Sequence, residues 1–189
     1  MNILIVKAHP SSKGLTHAIA QTYADAKTAK GHAVQIVDLY AKEYEVPLLN
    51  FENIREFQIS AVQKKFQEQI LWASEIVVVH PVWWSAPPSI MKNWTEIAFW
   101  PRVTYRYTGP GKTEKLLTDK TAKIFVTTGG PGWYQYLPIL PLMPFWKLCV
   151  FGFSGVEVVD VKVCGRMDIM TPEKKEKQIK KFLEKIKNS

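Results

Sequence analysis

The segment from Ala8 to Thr16, called here the phosphate segment, contains the groups that a phosphate site needs. It reads Ala-His-Pro-Ser-Ser-Lys-Gly-Leu-Thr, follows an apolar run and opens a predicted helix. Free N–H groups and the positive dipole end at a helix start attract anions, and Thr16, His9 and Lys13 could add polar contacts. The alternative is an ordinary capped turn in which His9 caps or packs.

Residues 80 to 88, the tryptophan segment, read His-Pro-Val-Trp-Trp-Ser-Ala-Pro-Pro. The three prolines fix φ, and Trp83 and Trp84 offer large apolar planes at a small entropy cost. A tight hairpin turn would prefer Asn-Gly, so we expect a stiff loop that can hold a flat ring. The alternative is that both tryptophans anchor the core or an interface.

Residues 127 to 133, the glycine segment, read Thr-Thr-Gly-Gly-Pro-Gly-Trp. Paired glycines allow the backbone to approach a ligand closely, and their N–H groups could stabilise negative charge on a heterocycle. The alternative is a generic glycine turn. Taken together, the three segments suit the isoalloxazine ring of a flavin, which needs an aromatic flank, main-chain contacts at its polar edge and partial exclusion of water.

Alternating strands and helices must position these segments. Hydrophobic periodicity and end signals predict strands at 2–8, 33–39, 75–80, 121–127 and 156–163, helices at 15–30, 59–73, 88–99 and 173–187, and a proline-broken helical stretch at 138–152. Residues 40–58 and 100–119 are left as long loops of suspected function.

Strands that are apolar on both faces belong to parallel sheets covered by helices on both sides. We therefore predict an α/β fold with a doubly wound, five-stranded parallel sheet. The flavodoxin-like strand order 2-1-3-4-5 fits as readily as half of a Rossmann sheet, and ligands bind beyond the carboxyl ends of such strands. In the order 2-1-3-4-5 the three segments are neighbours.

Composition and charge exclude several classes of protein. The chain has 189 residues, 47% of them hydrophobic and 22% charged, as in a folded globular domain. Half of its net charge of +8 comes from residues 173–187, which hold seven lysines and three glutamates on a predicted amphipathic helix. We therefore expect a solvated helix face and no nucleic-acid binding. No apolar run predicts a membrane span, and no secretory signal is recognised, so a cytoplasmic location is expected.

Three further motifs are read as structural. Cys149 and Cys164 lack the spacing of a metal or redox motif, so we predict buried free thiols and no metal site. Gly109 to Thr113 (Gly-Pro-Gly-Lys-Thr) imitates the end of a phosphate-binding loop, but Arg106 replaces its first glycine and no strand precedes it, so it is predicted to be a turn. The dinucleotide fingerprint Gly-x-Gly-x-x-Gly does not follow the first strand.

The motifs also carry a resemblance to a known family. His9, the run Pro81 to Pro88 with Lys92-x-Trp94, Tyr105-Arg-Tyr107 and Thr127 to Gly130 resemble the NAD(P)H:quinone oxidoreductase family of flavodoxin-like flavoproteins, which includes ancillary proteins of glutathione-gated potassium efflux. The similarity runs nearly end to end, so residues 1–189 are expected to form a single flavin-binding domain.

The resemblance implies a homodimer with shared active sites, in which FMN or FAD passes hydride from NAD(P)H to a quinone or similar two-electron acceptor. It implies contacts of the cofactor phosphate and ribityl chain with His9, Leu15 and Thr16. The residues that it implies around the ring are Pro81, Val82, Trp83, Trp84 and Ser85 on one edge and Thr127, Thr128, Gly129 and Gly130 on the pyrimidine side. Tyr105 and Tyr107 would line the acceptor pocket from the partner subunit.

The chain departs from the family pattern at the proton-handling position. The mammalian quinone reductases have a tyrosine and a histidine after Thr-Thr-Gly-Gly, whereas this chain has no histidine beyond His80. Tyr134 is the nearest counterpart and the expected catalytic residue, with Tyr136 or water as the alternatives. The proline-rich stretch 137–146 also differs, so the substrate preference does not carry over.

Two other functions are considered. The first is a flavin-binding regulatory subunit of a potassium efflux transporter, and the second is a single-electron flavodoxin, which is disfavoured because such carriers are typically acidic. Arg102, Arg106 and Lys112 could favour the extra phosphate of NADPH, or could simply be surface charges. The sequence leaves open the choices of FMN or FAD and of NADH or NADPH.

Overall fold

The computed structural model describes residues 1–54 and 56–189. Its main sheet has five parallel strands with helices on both faces. The strands of this sheet are β1 Asn2–Lys7, β2 Ala33–Asp38, β3 Glu75–Pro81, β6 Thr121–Thr127 and β7 Glu157–Cys164, and a separate hairpin consists of β4 Tyr105–Gly109 and β5 Lys112–Lys115. The longer helices are α1 Leu15–Ala29, α2 Ala61–Trp72, α3 Ser89–Ala98 and α6 Pro172–Lys187.

The strand order along the sheet is β2-β1-β3-β6-β7. The five parallel strands are as predicted, but the predicted order 2-1-3-4-5 is incomplete because residues 100–119 are not simply a loop. They contain the β4–β5 hairpin, which is short and largely exposed and stays outside the main sheet. Gly111, with φ of 68°, lies between the two hairpin strands, so the prediction of a turn within 109–113 is confirmed. The expectation that no strand precedes it is wrong, because β4 ends at Gly109.

Strand alternation creates an apolar core on each face of the sheet. Ile3 and Ile5 pack into one cluster with α1 and α6, whereas Leu4 and Val6 pack into the other with α2 and α3. All seven residues of β3 are buried. Each fully buried branched aliphatic side chain contributes about 1.5–3 kcal/mol relative to an exposed one, which explains why these strands occupy the middle of the sheet.

Local signals set the helix boundaries. Ser60 and Gln63 form a capping box at the start of α2, and Pro88 stands directly before α3. In α6, Phe182 and Ile186 are buried, and most lysines lie on the exposed face, as predicted. No helix in the described ranges is both long enough and apolar enough to cross a membrane.

The proline-broken stretch is a compound helix. It consists of α4 Leu142–Pro144, a π-helical part Phe145–Val150 and α5 Phe151–Ser154. Trp146 and Phe151 are fully buried on its inner face. Cys149 lies on its outer face and is exposed, so the prediction of two buried thiols is wrong for Cys149 and holds for Cys164.

Candidate functional site

The carboxyl ends of four strands meet at one edge of the sheet. Pro81 pairs with Thr127, and Thr127 pairs with Cys164. Main-chain hydrogen bonds continue this alignment into the loops, from Ala8 N to the Val79 carbonyl (3.0 Å) and from Val82 N to the Thr127 carbonyl (2.8 Å). The phosphate, tryptophan and glycine segments therefore lie side by side.

The phosphate segment opens α1 without a side-chain cap. Gly14 is the N-cap residue, with extended backbone, and no side chain accepts from the first turn. His9 does not cap the helix, because its Nδ1 accepts from Ser11 N (3.0 Å). Its ring lies against Gly14, where a Cβ would be 3.0 Å from His9 Cε1. The turn therefore has no side-chain cap, although His9 packs against it as the alternative expected. His17 N donates to the Gly14 carbonyl (3.0 Å), so in the described part of the chain the first-turn N–H groups that stay available to a ligand are those of Leu15 and Thr16.

Two side-chain atoms in the first turn of α1 are buried without a partner among the described residues. They are the hydroxyl of Thr16, a residue only 1% exposed, and Nε2 of His17. Lys7 donates to His17 Nδ1 and also to Asp38 Oδ2 (2.6 Å). Because an ammonium group only donates, the proton of neutral His17 lies on Nε2. Both atoms can donate to an acceptor such as a phosphate oxygen.

Sequence reasoning missed the Lys7–Asp38–His17 group, although a signal existed. Lys7 and Asp38 are the last residues of β1 and β2 and pair directly across the sheet. Neighbouring parallel strands that end in opposite charges place those charges side by side, so the predicted strand order was sufficient to find this pair. The pair fixes Nδ1 of His17 as an acceptor and so determines which of its nitrogens faces a ligand as a donor.

The tryptophan segment contains a tight two-residue turn, so the expectation that its composition argues against a hairpin turn is wrong. Trp83 and Ala86 exchange two main-chain hydrogen bonds of 3.0 Å each. Between them, Trp84 and Ser85 have φ of 51° and 59°, although turns with two positive φ angles normally take Asn-Gly. Such backbone strain persists only where the surroundings impose it, and it concentrates at functional sites.

The turn displays its aromatic side chains to solvent. Trp84 is fully exposed and Trp83 is 42% exposed. Neither is a core anchor, so that part of the alternative is excluded, whereas an anchor at an interface stays open. An exposed indole on a strained turn is available to stack on a flat ligand.

His80, directly before this turn, is fully buried and hydrogen-bonded on both sides. Its Nδ1 donates to the Pro81 carbonyl (2.8 Å), and its Nε2 accepts from Trp146 Nε1 (3.0 Å). Burial lowers the pKa of His80 to about 4, against a smaller opposing effect of the Pro81 carbonyl. The neutral ring thus connects the tryptophan segment to the π-helical part of the compound helix, a helix type that is frequent at functional sites.

The glycine segment is bonded along its length to the loop that follows β7. Thr128 N donates to the Cys164 carbonyl (2.9 Å), Met167 N to the Thr128 carbonyl (3.2 Å), and Arg166 N to the Gly130 carbonyl (2.6 Å). The carboxylate of Asp168 lies against Gly129, where a Cβ would be 2.0 Å from its Oδ2. No site residue was predicted in this loop, although β7 adjoins β6 in the predicted strand order.

The predicted tyrosines fall in two places. Tyr134 is 44% exposed in the 3₁₀ helix Gly132–Tyr136, directly after the glycine segment. Tyr136 instead donates its hydroxyl to the Val161 carbonyl (3.1 Å), and burial raises its pKa. The hydroxyl of Tyr136 is therefore engaged by the backbone, which leaves Tyr134 as the better candidate of the two for handling a proton.

Tyr105 and Tyr107 lie on β4, with ring centroids 5.6 Å apart. Tyr105 lines a cavity of about 360 Å³ with Phe99, Phe145 and Phe153 of the same chain. Arg106, on the same strand, forms an ion pair with Glu114, which accounts for its charge within the hairpin.

The edge of the sheet thus offers three kinds of contact to one ligand. Helix N–H groups and unpartnered donors at α1 suit a phosphate, exposed indoles suit a flat apolar ring, and glycine backbone suits a polar ring edge. A flavin mononucleotide has all three parts, so the residues present fit this cofactor.

Comparisons with known proteins support the fold. The model of a protein family described as having the flavodoxin-like fold matches residues 1–189. Among solved structures, the chain is similar to Smu.1420 from Streptococcus mutans UA159 (TM-score 0.82, 22% identity, full coverage of both chains). It is also similar to an azoreductase from Bacillus anthracis str. Sterne (TM-score 0.80, 20% identity, 100% of this chain and 97% of the other). At these identities the structures support the fold alone.

Two curated relatives are matched over only part of their length. The chain is 28% identical to a ribosyldihydronicotinamide dehydrogenase-like protein, traD, from Penicillium crustosum, over 69% of this chain and 58% of the relative. It is 30% identical to an uncharacterized NAD(P)H oxidoreductase from Haemophilus influenzae, over 68% and 65%. The chain thus covers less than two thirds of either. An FMN-dependent NADH:quinone oxidoreductase from Coprothermobacter proteolyticus is 25% identical over 89% of this chain and 88% of the relative.

Proposed function

Because the chain belongs to the family with the flavodoxin-like fold, we propose that it is an FMN-dependent oxidoreductase that uses NADH to reduce a quinone or a similar two-electron acceptor. When bound, the flavin supplies the hydride-transfer chemistry. The protein supplies binding, orientation and electrostatics. FMN and NADH are chosen over FAD and NADPH because a relative that matches most of this chain is described as FMN-dependent and NADH-using.

The observation that carries the proposal is the buried hydroxyl of Thr16, which has no hydrogen-bond partner in residues 1–54 and 56–189. A buried hydroxyl without a hydrogen bond destabilises a fold by about 1–3 kcal/mol, so its presence at the uncapped start of α1 indicates a group that binds there. A phosphate monoester would accept from this hydroxyl and from the first-turn N–H groups. His9 and Leu15 would flank the same end of the cofactor.

The ring would lie between the other two segments. We assign Pro81, Val82, Trp83, Trp84 and Ser85 to one edge of the ring and Thr127, Thr128, Gly129 and Gly130 to its pyrimidine side. The main-chain bond from Val82 N to the Thr127 carbonyl holds the two groups together before any ligand binds. Tyr134 follows the glycine segment and is assigned to hold or move a proton through its hydroxyl, with water as the alternative.

The acceptor would bind next to Tyr105 and Tyr107, which we propose to be contributed by the second subunit of a homodimer. Tyr107 is 68% exposed and Leu148 is 68% exposed, and such apolar side chains favour burial against another surface. The regulatory-subunit alternative finds no support in the comparisons and is not retained.

The phosphate contact is tested with Thr16→Val, which keeps the shape of the side chain and removes the donor. FMN affinity, measured by quenching of flavin fluorescence, should fall about tenfold or more, as expected for a hydrogen bond to a charged group. Riboflavin, which lacks the phosphate, should bind both proteins equally. The matched control Thr28→Val lies on the exposed face of α1 and should leave both affinities unchanged.

Wild-type protein with FMN should then oxidise NADH steadily in the presence of 1,4-benzoquinone. Equal losses of FMN and riboflavin affinity in Thr16→Val would contradict the assigned phosphate contact. Absence of FMN binding by the wild-type protein would refute the proposed function itself. Tighter binding of FAD than of FMN would replace the cofactor assignment.

A further inference from the structure

A cavity of about 370 Å³ opens beside the proposed flavin site and shares no residue with it. It lies between the segment Leu39–Val46, α2 and α3. Leu39 and Tyr40 directly follow β2, so the cavity lies beyond the carboxyl end of that strand. In doubly wound sheets this is the edge at which ligands bind.

Four of the eleven residues that line this cavity are aromatic, and most of the others are apolar. These four are Tyr40, Tyr44, Phe66 and Trp94. Tyr44 stacks on Phe66, with centroids 5.7 Å apart and planes 19° from parallel, and the Lys65 ammonium lies 4.5 Å from the Tyr44 ring centroid, so these rings are held in place by the protein itself. The polar lining includes one cation, Lys42, and one anion, Glu45. Balanced charge of this kind gives no preference for an ionic ligand, whereas the apolar lining and the ring of Tyr40, which is 41% exposed, favour an apolar or aromatic body.

Asn93 supplies a single oriented acceptor. The residue is only 6% exposed, and its Nδ2 donates to the Val46 carbonyl (3.2 Å), which fixes the amide plane and ties the cavity wall to α3. Its Oδ1 is buried and finds no partner within residues 1–54 and 56–189. A buried carbonyl oxygen without a donor is unfavourable, so a ligand that brings an N–H or O–H group would satisfy it.

We propose that this cavity is a second small-molecule site, for a neutral aromatic molecule of one or two rings that carries an N–H or O–H donor. The volume lies within the range of natural small-molecule pockets. The ring lies against the apolar lining and Tyr40, and the donor bonds Asn93 Oδ1. This inference does not depend on flavin binding, because no residue assigned to the flavin lines the cavity.

The test compares phenol, which has the donor, with toluene, which does not. Both are titrated into the protein in buffer with excess FMN, and binding is followed by NMR through the backbone amide signals of Tyr40, Ala41 and Val46. Phenol should saturate these shifts at a concentration roughly threefold to tenfold lower than toluene, the ratio that one net hydrogen bond gives.

Two variants separate the contributions. Ala41→Phe places a ring inside the cavity and should abolish saturable shifts by both probes, whereas the control Ala29→Phe, on an exposed position at the end of α1, should change neither. Asn93→Leu should remove the preference for phenol over toluene. If Asn93→Leu fails to fold, the result for Ala41→Phe still decides whether the cavity binds. Equal binding of phenol and toluene by the wild type, absence of saturation by either probe, or saturation unchanged in Ala41→Phe would each overturn the proposal.

Discussion

His80 shows how one buried side chain makes the stability of the fold depend on pH. Its folded-state pKa of about 4 lies below the ordinary value of 6.5 because burial penalises the charged ring. The unfolded chain takes up the proton as pH falls below 6.5, whereas the folded protein does not until about pH 4. Stability from this residue is therefore complete above pH 6.5 and is lost progressively between 6.5 and 4.

The expected loss from this residue is about 3 kcal/mol in the free energy of unfolding, from the size of the shift. His80→Gln should reduce the difference in unfolding free energy between pH 7 and pH 4 by about that amount, measured by urea denaturation at both values. His32→Gln, which changes a less buried histidine, is the control and should keep most of the wild-type difference. An unchanged pH dependence in His80→Gln would show that His80 is not the residue responsible.

The strained turn in the tryptophan segment lowers the stability of the fold while it presents Trp84 to the proposed ligand. Left-handed backbone is unfavourable by about 1–2 kcal/mol for ordinary residues, and asparagine tolerates it better. Trp84 is fully exposed and contributes no burial. Trp84→Asn should therefore raise the unfolding free energy by about 1 kcal/mol, measured by chemical denaturation, while it weakens FMN binding.

The matched variant Trp84→Phe keeps both the strain and an aromatic ring. Its stability should equal that of the wild type, and most of its FMN affinity should remain. If Trp84→Asn binds FMN as tightly as the wild type, Trp84 has no contact with the ring, and the tryptophan segment must be explained as an interface anchor.

The loops after β6 and β7 are tightly packed at one glycine and leave free space at another. A Cβ on Gly165 would lie 2.2 Å from Gly132 N, a backbone atom that cannot move aside, whereas a Cβ on Gly130 meets nothing within 4 Å. Gly165→Ala should reduce the unfolding free energy by about 1–3 kcal/mol, and Gly130→Ala by less than about 0.5 kcal/mol. Both are measured by thermal denaturation.

Gly130→Ala should still weaken FMN binding, because the proposed ring approaches the backbone at that position. A stable Gly130→Ala protein with unchanged FMN affinity would move the ring away from the glycine segment. A Gly165→Ala protein as stable as the wild type would show that the two loops are not tightly packed against each other.

The elements were predictable where burial and local signals agree. The apolar runs at Ile3–Val6 and Ile76–Val79 have only one stable environment, a sheet covered on both faces, and the three segments follow from that topology. The β4–β5 hairpin was missed because its strands are polar and short and bury little, so periodicity is weak there. The Trp84–Ser85 turn could not be found from propensity, because those residues disfavour the backbone they adopt.

The sequence predicted which loops form the site, but it did not predict the contacts within them. The positions of His9 and Thr16 follow from the end of β1, but the missing cap on α1 and the unpartnered hydroxyl of Thr16 depend on packing that no local pattern reports. Cys149 lies in the π-helical part of the compound helix, where the side-chain spacing expected for an α-helix does not apply, so its exposure could not be predicted from the pattern.

Two properties of the whole molecule stay predictions: that it is a single domain and that it is a homodimer. Both core clusters share the same five strands, so residues 1–189 should unfold in one cooperative step, with coincident transitions by circular dichroism and tryptophan fluorescence. Light scattering should give twice the monomer mass. Separate transitions would contradict the single domain, and a monomer mass at micromolar concentration would remove the assignment of Tyr105 and Tyr107 to a shared site.

The hydrogen bonds that join Val82 to Thr127 and Thr128 to Cys164 have both partners in the polypeptide. This edge of the sheet is thus already held together by the protein's own hydrogen bonds, so ligand binding should require little reorganisation. If the proposed flavin binds there, the protein should release it and take it up again under mild conditions, without unfolding. The same edge should then also accept synthetic isoalloxazines whose electronic properties differ from those of FMN.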